Sequence, residues 1–129
     1  MSVPILKQGE CLIATIQSTL TDADWGTLRD DLLARVGRFR SRGVVVDVTD
    51  LDVMDSFATR TLRAIADATA LRGAATVLVG IQPEVAFAMV QLGLTAHFEG
   101  VATALDLEEG LALLNHASRG RKGRGDRAV

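Results

Sequence analysis

Residues 44–62 read VVVDVTDLDVMDSFATRTL, and this stretch passes from a buried strand through an acid-rich loop into a helix. Val44, Val45 and Val46 are β-branched, consecutive and preceded by Gly43. A short, uninterrupted apolar run of this kind predicts a central strand covered on both faces. Asp50, Asp52 and Asp55 then alternate with Leu51, Val53 and Met54. Asp55 or Ser56 suits the N-cap of the following helix, because either side chain can accept a bond from an unpaired helical N–H. From Ala58 onward Leu62, Ile65, Ala66 and Thr69 recur at helical spacing.

Working outward, Val3 to Leu6 and Cys11 to Ile16 read as two short strands joined at Gln8-Gly9-Glu10. Pro4 implies an edge position for the first. Thr21 and Asp24 form an imperfect capping box for a helix whose buried face is Trp25, Leu28, Leu32, Val36 and Phe39, ending at Ser41-Arg42-Gly43. Downstream of the central strand and its helix, Gly73 is a natural stop, Ala75 to Val79 a further strand, and Pro83 the first residue of a third helix. That helix is expected to bury Val85, Ala86, Met89 and Leu92, with Gly93 ending it. His97 to Val101 reads as a last strand, and Leu105, Leu111 and Leu114 mark a last helix. The predicted class is α/β, a mixed β-sheet of four to five strands with about four helices on one side or both. No internal repeat is present.

A chain of 129 residues suits one domain. Aromatic residues make up only 4%, so aliphatic side chains must fill the core. The net charge of −2 hides an asymmetry. Residues 118–129 hold five basic groups and one acid, whereas the rest carries 15 acids against nine bases. The expected organisation is a folded domain over 1–117 and a basic, glycine-rich tail over 118–129, disordered and solubilising. The acidic body argues against nucleic-acid binding by the folded part. No apolar run approaches a membrane span, and the N-terminus carries no signal-peptide pattern, so a cytoplasmic, soluble protein is expected. Cys11, the lone cysteine, falls in an apolar strand and is read as core.

Catalytic signatures are weak. His97 and His116 lack metal-ligand spacing, no G-x-S-x-G elbow surrounds Ser56, and no phosphate-binding glycine loop follows a strand. The aspartates of 47–55 lack calcium-loop spacing and read as a solvated loop. Neither metal, cofactor nor enzymatic activity is expected. Read from the residues alone, Ser56 has two roles open to it: a plain helix cap, or a modified hydroxyl. A phosphate there would add about −1.5 to −2 charges, which the positive end of a helix tolerates.

The apolar strand together with DLDVMDSFATR at Asp50 to Arg60 resembles the STAS domain, the sulfate-transporter and anti-sigma-factor-antagonist family. Within it, Phe57 and Ala58 after the serine resemble the RsbS type of bacterial stressosomes, rather than SpoIIAA-type antagonists with small residues there. The resemblance covers roughly the first nine-tenths of the chain by single-sequence reading. It implies the element order β-β-α-β-α-β-α-β-α and a non-enzymatic switch. Ser56 is the implied phosphorylation site, with Thr59 a second candidate one turn on. Asp55, Phe57, Thr59 and Arg60 are the implied partner surface, with Phe57 either an apolar anchor or tucked into the core. The implied partners are an RsbT-type serine/threonine kinase, a serine phosphatase that resets the switch, and RsbR-type paralogues in a large assembly, with self-association. A SpoIIAA-like antagonist that binds an anti-sigma factor directly and a small-ligand-binding STAS domain are the alternative readings.

Overall fold

The computed structural model describes residues 3–94 and 101–116. The β-branched run forms β3 (Gly43–Asp47) at the middle of a five-stranded sheet. Around it the chain order is β1 (Ile5–Gln8), β2 (Cys11–Thr15), α1 (Asp22–Phe39), β3, α2 (Ser56–Leu71), β4 (Ala75–Val79), α3 (Pro83–Gln91) and β5 (Ala102–Ala104). A last helix, α4, covers residues 107–116. Strand order in space equals strand order in sequence. β1 pairs antiparallel with β2, and β2 to β5 run parallel.

That topology fixes where the helices lie. Each parallel crossover steps in the same direction across the sheet, and crossovers of one hand then put every connecting helix on the same face. α1, α2 and α3 accordingly share one core with the sheet. Trp25, Leu28, Leu32, Val36, Leu62, Ile65, Val85 and Met89 pack on Leu12, Ala14, Val44, Val46 and Leu78. The alternate strand residues Cys11, Ile13, Val45, Val77 and Val79 face the other way, where Leu114, Leu107 and Leu111 of α4 cover them. Val44, Val45 and Val46 are all fully buried, as a strand covered on both faces requires.

The capping box of α1 is complete. Thr21 Oγ1 accepts from Asp24 N and Asp24 Oδ2 accepts from Thr21 N, each at 3.1 Å. The backbone bond from Thr21, then its side-chain bond, holds the Asp24 carboxyl below the usual range. A carboxyl depressed on folding contributes stability above its unfolded pKa and loses it as pH falls through the lower folded value. We therefore expect acid titration followed by NMR to show the Asp24 carboxyl protonating below free aspartate, and Thr21→Ala to bring it back toward the ordinary value.

Several expectations shift. The first strand is Ile5–Gln8 rather than Val3 to Leu6, so the hairpin turn tightens to Gly9-Glu10, with Gly9 at φ +59. It is an edge strand, as Pro4 implied. Phe39 is not buried. As the last residue of α1 it sits outside the core, with Lys7 Nζ and the Arg38 guanidinium 5.8 and 5.4 Å from its ring. Ala86 and Leu92 are exposed as well, because one narrow stripe, Val85 and Met89, is all that α3 lays on the sheet, and Leu105 is exposed in the turn between β5 and α4. The fifth strand described is Ala102–Ala104; of the expected 97–101, Val101 precedes it outside the strand and residues 97–100 lie outside the described residues, as does the tail over 118–129. Cys11 is buried, and burial, followed by the nearby Glu10 charge, raises its thiol pKa. No helix among the described residues is long and apolar enough to cross a membrane.

Candidate functional site

Where β3 ends, the chain is tied down before it reaches α2. Asp47 Oδ1 accepts from Thr49 N at 3.0 Å and from Thr49 Oγ1 at 2.6 Å. Val48 N bonds Val79 O at 3.0 Å, which extends the strand pairing by one residue. Gln82 Nε2 reaches across from the start of α3 to Thr49 O at 2.7 Å. Gly80, at φ +80, lets the next loop approach so closely that a Cβ would run into Thr49 Oγ1 and stand 3.0 Å from Thr49 Cα. Leu51 and Met54 are buried and pin the loop to the main core. The residues between and beside them turn outward, leaving Asp50, Asp52, Val53 and Asp55 exposed.

The cap ambiguity resolves in favour of aspartate. Asp55 is the N-cap, with φ −79 and ψ 178, and its Oδ1 accepts from Ala58 N at 2.8 Å. Ser56 is the first helical residue and is exposed. Its hydroxyl makes no hydrogen bond within the described residues. Its carbonyl accepts a bond from Arg60 Nε at 3.3 Å. Removing the cap with Asp55→Ala should destabilise the domain by about 1 kcal/mol, and Asp55→Asn by much less, measured by urea unfolding.

Asp55, Ser56 and Arg60 therefore share one exposed surface. Phe57 is half-buried and packs against the main core. Thr59 is the correction. It is fully buried, and its Oγ1 donates to Asp55 O at 2.9 Å, a bond back to the preceding turn. Its hydroxyl is sealed, so it belongs neither to the accessible surface nor among accessible phosphoacceptors in this conformation. Periodicity contained the signal: Thr59, Leu62 and Ala66 lie on one helical stripe. Thr49, Gly80 and Gln82 escaped the sequence reading, because their coupling joins two loops distant in sequence. Val53, 62% exposed beside Ser56, was legible only as one member of the acid–apolar alternation.

Comparison with known proteins shows the family. The STAS domain family profile matches residues 2–110. The chain belongs to the STAS domain family. The RsbT co-antagonist protein RsbRA of Bacillus subtilis (strain 168) is 32% identical to this STAS domain over 118 residues, which is 84% of this chain and 43% of that protein. The chain thus spans less than half the length of that relative. A serine-to-glutamate variant of Moorella thermoacetica RsbS superposes with a TM-score of 0.76 at 35% identity, covering 91% of this chain and 97% of the other. A chain from the stressosome, described as a signal integration and transduction hub, gives 0.73 at 36%, covering 90% and 99%. SpoIIAA in its unphosphorylated form gives 0.64 at 13% identity, covering 92% and 97%, a likeness of fold alone. This STAS domain is similar to RsbS over nine-tenths of its length.

Proposed function

We propose that this STAS domain is a phosphorylation-controlled switch. It holds an RsbT-type serine/threonine kinase against the surface around Ser56 and releases it when Ser56 is phosphorylated. The observation that carries the reading is that Asp55 caps α2 and leaves the Ser56 hydroxyl exposed and unbonded. Here the cap is a separate residue, so a phosphate can be added without loss of the helix start. The dianion would sit in the first turn, where helical N–H groups favour negative charge. The contact set is the exposed Asp55, Arg60 and Val53, with the half-buried Phe57.

In this scheme the kinase binds ATP and transfers its terminal phosphoryl group to the Ser56 hydroxyl, leaving ADP, a serine phosphatase resets the switch, and the domain assembles with RsbR-type STAS paralogues and with further copies of itself. Relatives at 35–36% identity named for RsbS and the stressosome support that assembly. The direct anti-sigma-factor reading has weaker support, since SpoIIAA shares 13% identity. Incubation with an RsbT-type kinase and ATP should add one phosphate, located at Ser56 by intact-mass and fragment analysis. An unmodified mass, or a phosphate placed elsewhere, removes the switch.

A further inference from the structure

The end of the domain opposite Ser56 is basic. Arg40, Ser41 and Arg42 lead into β3 and the acidic loop leaves it, so one five-residue strand, about 17 Å long, separates two surfaces of opposite sign. Arg40, Arg42 and Arg72 line an open groove of about 560 Å³ with Val36, Gly37 and Gly73. Arg72 lies across α1 so closely that a Cβ on Gly37 would meet its Nη1 at 2.6 Å. Lys7 and Arg38 flank Phe39 at the adjoining end of α1. Five of the nine basic residues outside the tail thus gather here.

Two further observations point to a ligand rather than to arginines that only complement helix ends. Ser41 lines the same groove, is 4% exposed, and its hydroxyl has no hydrogen-bond partner among the described residues. It is also not a sealed atom, so what access it has is to the groove. Arg40 and Arg72 have no ion-pair partner among the described residues either. Arg42 Nε has Glu10 at 3.9 Å, a long contact between two exposed side chains. The C-termini of α1 and α2 together carry about one elementary negative charge. Against three guanidinium groups, that and Glu10 leave the groove positive. The backbone beneath is held in place: Ser41 N bonds Val36 O at 3.2 Å, Arg42 N bonds Glu10 O at 2.8 Å, and Ala75 N bonds Arg42 O at 3.0 Å.

We propose that this groove binds a phosphoryl anion, with Arg40, Arg42 and Arg72 as charged donors and the Ser41 hydroxyl as the neutral one. Guanidinium forks match phosphate oxygens in pairs, and a hydroxyl recessed among them supplies a donor that a carboxylate-binding surface patch would not need. Arg40 sits at φ 51, where glycine costs less, and its side chain is what that conformation retains in the groove. The phosphoryl group has two possible sources, a free anion or a phosphorylated side chain of another protein.

Titration of the isotopically labelled full chain with sodium pyrophosphate, at ionic strength held constant with sodium chloride, tests the site. Saturable NMR shifts are expected at the amides of Gly37, Ser41, Arg42, Arg72 and Gly73. Arg72→Gln and Arg40→Gly should each weaken binding about tenfold. Ser41→Ala, which removes no charge, should weaken it about fivefold. Arg40→Gly should melt no lower than the parent, which separates lost binding from lost folding. In a parallel titration, N-acetyl-O-phosphoserine amide binding tighter than pyrophosphate assigns the group to a modified protein, and the reverse or equality assigns a free anion. Shifts that never saturate, that sodium chloride alone reproduces, or that survive Arg72→Gln and Ser41→Ala undiminished overturn the proposal.

Discussion

Ser56→Asp should leave the domain folded and lower its affinity for the RsbT-type kinase by roughly 30- to 1,000-fold, the equivalent of about 2–4 kcal/mol at a buried contact. The two halves of this expectation have separate causes. For the fold, Ser56 is exposed, bonds nothing through its hydroxyl, and opens a helix whose first turn contains no acid. A carboxylate there gains about 0.3–1 kcal/mol from the helix end. The exposed carboxylates of Asp52 and Asp55 offset part of it across screened solvent. The melting temperature should change by no more than a few degrees. For binding, a partner that covers the Ser56 surface must strip water from the added charge, and Arg60 one helical turn on offsets only part of that cost. Calorimetric titration of kinase into parent and variant measures the difference, and circular dichroism checks the fold. If the variant melts normally and still binds as tightly as the parent, release by charge is wrong. Ser56→Ala should bind at full affinity and accept no phosphate.

Gly80→Ala carries the largest expected cost to stability, about 2–4 kcal/mol. Two penalties combine in it. At φ +80 a Cβ strains the backbone, and the added carbon collides with Thr49, whose Cα stands 3.0 Å away. Thr49 cannot retreat freely. Its N–H and hydroxyl bond Asp47, and its carbonyl accepts from Gln82. The collision therefore reaches the loop that presents Ser56, and kinase affinity should fall along with stability. A domain of this size has a total stability of about 5–15 kcal/mol, so the loss is measurable by urea unfolding without abolishing the fold. An unchanged unfolding midpoint would show that the two loops do not press on each other in solution.

The element order was legible because this chain keeps its signals local. Three consecutive valines, a capping pair at Thr21 and Asp24, a glycine after α2 and a proline opening α3 each act over a few residues. Periodicity failed at helix ends and on the narrow helix. Phe39, Ala86 and Leu92 fit an apolar stripe, but all three stand exposed, outside the residues their helices bury. At the site, the run DSFATR marked the right turn of helix yet gave its members equal standing. Its serine and arginine face solvent, its phenylalanine half-plugs the core, and its threonine is sealed against the previous turn.

What the sequence alone determined, then, is the succession of strands and helices, the strand buried on both faces, and the position of one hydroxyl at a helix start. These follow from side-chain period and from backbone groups that need caps within one turn. Only the tertiary structure decided that Asp55 is the cap and Ser56 is free, that Thr59 is enclosed, that Gln82 and Gly80 clamp Thr49 from another loop, and that three arginines meet around Ser41. Those outcomes depend on which distant segments come within a few ångströms of each other, and no local pattern encodes that distance.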